Sequence, residues 1–82
     1  MAVKVTLFGF GDDCPQGFIN NTRKINTGDT KGLEQILNMA GFNNLEGLVI
    51  LVNDTGVHQD DWSKTQIKNH DSIKILSAIE GG

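Results

Sequence analysis

Only one stretch of this chain repeats at helical spacing. Leu33, Ile36, Leu37 and Ala40 fall at i, i+3, i+4 and i+7, the stripe of a helix that buries one face. Asp29 or Thr30 is suited to cap its start, and Gly41 stands where a left-handed C-terminal cap is expected. Glu34, Gln35 and Asn38 take the wet side. The remaining apolar segments alternate or run continuously over short spans, as strands do. A single helix with several strands has one economical solution, the helix laid across one face of a sheet. The sequence therefore predicts a two-layer α+β fold with a mixed sheet and one main helix.

The strands are read from β-branched alternation. Val3-Lys4-Val5-Thr6-Leu7-Phe8 opens a first strand over roughly Val3–Phe10, with Val3, Val5 and Leu7 on one face. A turn-forming cluster, Gly11–Gly17, leads to a second strand over Phe18–Ile25, anchored by Phe18 or Ile19 and by Ile25. Leu48–Val52 is apolar throughout, which implies cover on both faces or a face left for a partner. Asp54-Thr55-Gly56 turns the chain, and Val57 resumes a short strand. Gln59–Ser63 reads as one helical or 3₁₀ turn that folds Trp62 onto the core, and Thr65-Gln66-Ile67 as another short extended piece. Asn69-His70-Asp71 turns into a last strand from Ser72. The first and last strands are the expected central neighbours, running parallel.

That last strand alternates and then closes on two glycines: Ile73, Ile75 and Ile79 share the inward parity, Leu76 and Ala78 the outward one, and Glu80-Gly81-Gly82 follow. Four extended residues reach about 13 Å. Glycine has no Cβ, so such a tail passes a channel that other residues would block. The expectation is one domain over 1–82 with a flexible tail at 80–82. In it the terminal carboxylate is the reactive group and the fold is its handle. A carboxylate of this kind is ionised near neutral pH and a poor electrophile, so it must be activated by another protein.

Other chemistries find little support. A chain of 82 residues builds one modest core without a deep active-site cleft. The net charge is −3 and the basic residues are scattered along the sequence, which argues against nucleic-acid binding driven by phosphate neutralisation. The single cysteine, Cys14, permits no internal disulfide and fits a reducing compartment. It sits beside Asp12 and Asp13, the opposite of the electropositive setting of reactive cysteines. His58 and His70 lack metal-ligand spacing, so no metal site is expected. The N-terminus lacks the pattern of a signal peptide and the longest apolar run is too short to span a bilayer, so a cytoplasmic protein without membrane attachment is expected.

The whole order of elements resembles the ubiquitin-like β-grasp sulfur carriers, the thiamine-pathway carrier and the small subunit of molybdopterin synthase. The second half carries the resemblance. Val52-Asn53 before a turn, Val57-His58-Gln59-Asp60-Asp61-Trp62, and Asn69-His70-Asp71-Ser72-Ile73-Lys74-Ile75 are similar to the thiamine type, as is the ending Ala78-Ile79-Glu80-Gly81-Gly82. His70 stands where the family has a turn glycine, and the first loop is nearer in length to the molybdopterin type. The resemblance implies a carrier and not an enzyme. A ubiquitin-activating-type enzyme adenylates Gly82, with Gly81 beside it, using ATP and Mg²⁺ that the partner binds. A sulfur donor of the cysteine desulfurase or rhodanese type then converts it to a thiocarboxylate. An acceptor synthase, thiazole synthase or the large subunit of molybdopterin synthase, receives the sulfur. Leu76, Ala78 and Glu80 are the expected partner contacts, and no cofactor is expected on this chain. The thiamine pathway is the first reading. The molybdopterin subunit, a ubiquitin-like modifier and a non-catalytic β-grasp interaction module are its alternatives.

Overall fold

The computed structural model describes residues 1–11, 14–28 and 31–77. In chain order it contains β1 (Ala2–Phe8), β2 (Thr22–Asn26), β3 (Lys31–Gly32), α1 (Leu33–Met39), β4 (Leu48–Val52), β5 (Thr55–Val57), a 3₁₀ helix (Gln59–Lys64), β6 (Gln66–Ile67) and β7 (Ser72–Ser77). Five strands form one sheet in the order β2-β1-β7-β4-β5, and β3 pairs with β6 beside it. β1 and β7 are parallel neighbours, and every other pair is antiparallel. β7 thus lies at the centre, between two hairpins.

The alternation read from the sequence sets the faces. Val3, Val5 and Leu7 of β1, Ile25 of β2, Ile50 of β4, and Ile73 and Ile75 of β7 are buried. They meet Leu33, Ile36, Leu37 and Ala40 of the helical stripe, with Trp62 and Ile67 closing one side. A fully enclosed aliphatic side chain contributes about 1.5–3 kcal/mol, so this continuous cluster is the main source of stability. Met39 points away and is exposed.

Both helix ends are built from local chemistry. The expected cap at Asp29 or Thr30 is replaced by Gly32, whose N–H donates to Oε1 of Gln35 at 2.8 Å. The helix starts later because β3 first pairs with β6, and Leu33 donates its own N–H to the Thr65 carbonyl at 2.8 Å. At the other end Phe42 donates to the Leu37 carbonyl at 2.9 Å and Gly41 to that of Asn38 at 3.1 Å. With Gly41 at φ 107°, this is a Schellman cap, as the glycine predicts. A Cβ there would also come within 2.7 Å of Pro15, so the same glycine lets the first loop close on the helix. The loop is held by Phe10 and Phe18, each edge-on to Phe42 with ring centroids 5.5 and 6.3 Å away.

The second strand differs from expectation. β1 ends at Phe8 and β2 begins only at Thr22, because Asn20 and Asn21 both adopt positive φ in a tight turn. Ile19 and Thr22 exchange hydrogen bonds across it at 2.9 and 3.0 Å. Ile19 is therefore not an anchor: it stands at the tip, 76% exposed, and Phe18 alone packs inward.

Candidate functional site: the outer sheet face and the end of the last strand

The helix covers one face of the sheet, and the other face shows where β7 leads. In β7 the residues Ile73 and Ile75 point inward, while Lys74 and Leu76 point outward. Leu76 pairs with Phe8 of β1 on one side and with Val49 of β4 on the other. Phe8 is 45% and Val49 44% exposed. Leu76, half-buried between them, is the middle of an apolar row that crosses three strands. Large side chains exposed singly are ordinary, but a contiguous row is the signature of a surface that meets something.

Ser77 is the last described residue of the strand. It pairs with Leu48 at the start of β4 and lies against Gly9 at the end of β1. The last described residue thus stands next to the row of Phe8, Leu76 and Val49. Ala78, Ile79, Glu80, Gly81 and Gly82 lie outside the described residues, so of the expected contact residues the structure places Leu76 alone. Phe8 and Val49 are the functional candidates that sequence reasoning did not name. The outward parity of Phe8 was readable from the alternation of β1, that of Val49 was not because β4 is apolar throughout, and the alignment of both with Leu76 depends on the register of strands distant in sequence.

The start of β7 is fixed by side-chain hydrogen bonds. The Nδ2 of Asn53 donates to Asp71 Oδ1 at 2.9 Å, and the Ser72 N–H donates back to Asn53 Oδ1 at 2.9 Å. The other carboxylate oxygen of Asp71 accepts the Lys68 N–H at 2.7 Å. His70 adopts φ 71°, so the turn keeps the left-handed form of a glycine although the residue is histidine. Lys74 is ion-paired with Asp54 on the β4–β5 turn. These bonds fix the register with which β7 enters the sheet, and hence the position from which the tail starts.

The remaining candidates have structural roles. The His58 Nδ1 accepts the Asp60 N–H at 3.2 Å and caps the 3₁₀ helix. Trp62 is buried and donates its indole N–H to the Val57 carbonyl at 2.9 Å. Cys14 Sγ lies 3.4 Å from Asn21 Oδ1 and 3.6 Å from the Gly11 carbonyl, against the loop's aromatic cluster. An open apolar groove of about 430 Å³ runs along β4, β5 and Trp62, from Leu48 to Gln59. Among the described residues, no group of three or more His, Cys, Asp or Glu side chains is placed to hold a metal ion. No helix among them is long and apolar enough to cross a membrane.

The sequence model of the ThiS family matches residues 5–82, nearly the whole chain. The chain belongs to the ThiS family. The crystal structure of a thiamine biosynthesis protein (ThiS) from Geobacter metallireducens superposes with a TM-score of 0.63 at 13% identity, covering 96% of this chain and 99% of that one. At that identity the likeness establishes the fold, a ubiquitin-like β-grasp. No curated protein matches the sequence. Membership places the chain among the small sulfur-carrier proteins of this family. Activating enzymes and thiazole synthases are the partner classes that the family implies.

Proposed function

We propose that the chain delivers sulfur from a thiocarboxylate at Gly82. In this reading an adenylating enzyme binds ATP and Mg²⁺, and the Gly82 carboxylate attacks the α-phosphate. Pyrophosphate leaves and an acyl-adenylate forms. The terminal sulfur of a donor persulfide then attacks the acyl carbon and AMP leaves. A thiol attacks the donor's sulfur in the resulting acyl disulfide, the S–S bond breaks, a disulfide is left on the donor, and the released thiocarboxylate carries the sulfur to a thiazole synthase. The residues of this chain bind, position and present; the nucleotide chemistry belongs to the partner.

The observation that carries this reading is the position of β7, the strand that the tail follows in sequence. β7 is the central strand, its start is pinned by Asn53 and Asp71, and its outward residue Leu76 sits in the apolar row with Phe8 and Val49. A partner that covers this row takes hold of the strand just before Ala78, and threading Ile79–Gly82 into a nucleotide site then requires only the tail to be ordered.

The test is an intact-mass measurement. The chain is incubated with ATP, Mg²⁺, its cognate adenylating enzyme and a sulfur source. A gain equal to one sulfur-for-oxygen exchange, located at Gly82 by fragmentation, is expected. An unchanged mass in the presence of a competent enzyme overturns the proposal. A stable isopeptide adduct in place of the thiocarboxylate supports the modifier alternative.

A further inference from the structure

We propose that the outer sheet face has a second, cationic half, the Lys4–Lys24 pair, and that it selects an adenylating partner whose facing surface carries carboxylates. The inference rests on the carrier reading above and adds the chemistry of the surface that meets this face.

The whole chain is acidic, with ten Asp and Glu against seven Lys and Arg. Its outer face is not. The described strand residues that point away from the helix include Lys4, Lys24 and Lys74 and no carboxylate. Lys74 has its counter-charge in Asp54. Lys4 and Lys24 are both exposed, sit directly opposite one another across β1 and β2, and have no ion-pair partner among the described residues.

The register makes this opposition close. Leu7 donates its N–H to the Asn21 carbonyl and Thr27 donates to that of Met1, so the odd-numbered residues of β1 occupy the hydrogen-bonded positions. Alternation leaves Lys4–Lys24 at a non-hydrogen-bonded position, where facing side chains approach most nearly. Like charges directly opposite weaken a sheet. Two ammonium groups so placed are a cost to the free chain that an anionic surface relieves on docking.

The nature of that surface follows from what adjoins it. Lys4 and Phe8 lie on the same face of β1, four residues and about 13 Å apart. One partner covering the apolar row therefore reaches the lysines as well, and must be apolar at the tail end and anionic at the other. A nucleic-acid backbone supplies the charge without the apolar surface. A second copy of this chain, docked face to face about a two-fold axis, brings its own lysines to the same patch. An acidic and partly apolar protein surface satisfies both halves.

Stopped-flow association of the chain with its cognate adenylating enzyme, at low and high salt, tests this. The variant K4Q/K24Q is expected to associate about tenfold more slowly at low salt with little change in dissociation, because charges of this kind act mainly on encounter. The difference is expected to narrow at high salt. The single variant K4E faces Lys24 with an opposite charge. It is expected to melt at a higher temperature than the wild type while associating more slowly, a divergence that a purely structural role does not produce. Unchanged, salt-independent rates in K4Q/K24Q overturn this inference and leave the carrier reading standing. Absence of both association and sulfur loading in the wild type overturns the two together. Lysine-dependent self-association in sedimentation, or displacement of the enzyme by a short single-stranded oligonucleotide, assigns the pair to another occupant and overturns it as well.

Discussion

Asn53 and Asp71 are joined side chain to side chain at 2.9 Å, across 18 residues of sequence. The bond ties the β4–β5 turn to the turn that launches β7. Asn53 sits at φ 52° and Asp54 at φ 69°, the two positive angles of a tight hairpin turn. Asn53→Gly preserves that backbone and removes only the side-chain bonds to Asp71 and Ser72. A loss of about 1–2 kcal/mol is expected in urea unfolding. Asn53→Ala adds a left-handed penalty of about 1–2 kcal/mol, so it should fall clearly below the glycine variant.

His70 holds a left-handed backbone at φ 71°. His70→Gly releases that strain, partly offset by the greater chain entropy of glycine. A net gain of about 0.5–1 kcal/mol is expected. In a domain of this size it appears as a rise of a few degrees in the thermal midpoint.

Trp62 anchors the 3₁₀ helix through packing and through its bond to the Val57 carbonyl. Trp62→Phe keeps most of the packing and leaves that carbonyl without its donor, an expected loss of about 1–3 kcal/mol. Trp62→Ala should cost about 3–5 kcal/mol. Circular dichroism is the appropriate probe, because Trp62 is the chain's one tryptophan and its fluorescence goes with it.

Phe8 and Val49 are exposed, so Phe8→Ser and Val49→Ser should change unfolding free energy by less than about 1 kcal/mol. Calorimetric affinity for the adenylating enzyme should fall about tenfold or more with either change. Equal affinity in both variants removes the apolar row from the docking surface.

Deleting Gly82 is expected to abolish thiocarboxylate formation while the melting temperature stays at the wild-type value. Loading at Gly81 in the shortened chain, seen by intact mass, counts against a fixed tail length. A lowered melting temperature counts against the division between handle and tail.

The helical stripe, the glycine that ends it and the inward parity of β1 and β7 were legible because each is a local pattern, whereas β4, apolar at every position, gave no sign of which residues face in. The start of the helix was not. Gly32 caps it only because β3 pairs with β6, a contact between distant segments. The hairpin at Asn20–Asn21 was missed for a different reason. Two asparagines supply the positive angles that an Asn-Gly pair advertises openly, and the neighbouring Ile19 imitates a core anchor. Of the candidate site, the sequence showed Leu76 facing out. It did not show Phe8 and Val49 brought level with it, since register lies in the pairing and not in either strand alone.

The central place of β7 also bears on how the chain is made and destroyed. Until β7 inserts, the sheet exists as two separate hairpins, β1–β2 and β4–β5, and an isolated hairpin is marginal in water. The β1–β7 seam joins segments far apart in sequence, so its closure carries a larger chain-entropy cost than either hairpin. On a ribosome it waits until β7 has emerged. A protease cut that frees β7 reopens the seam and leaves neither hairpin enough to hold. The strand that bears the tail is the keystone of the sheet, so a molecule that has lost it unfolds and does not persist as a well-formed decoy competing for the partner.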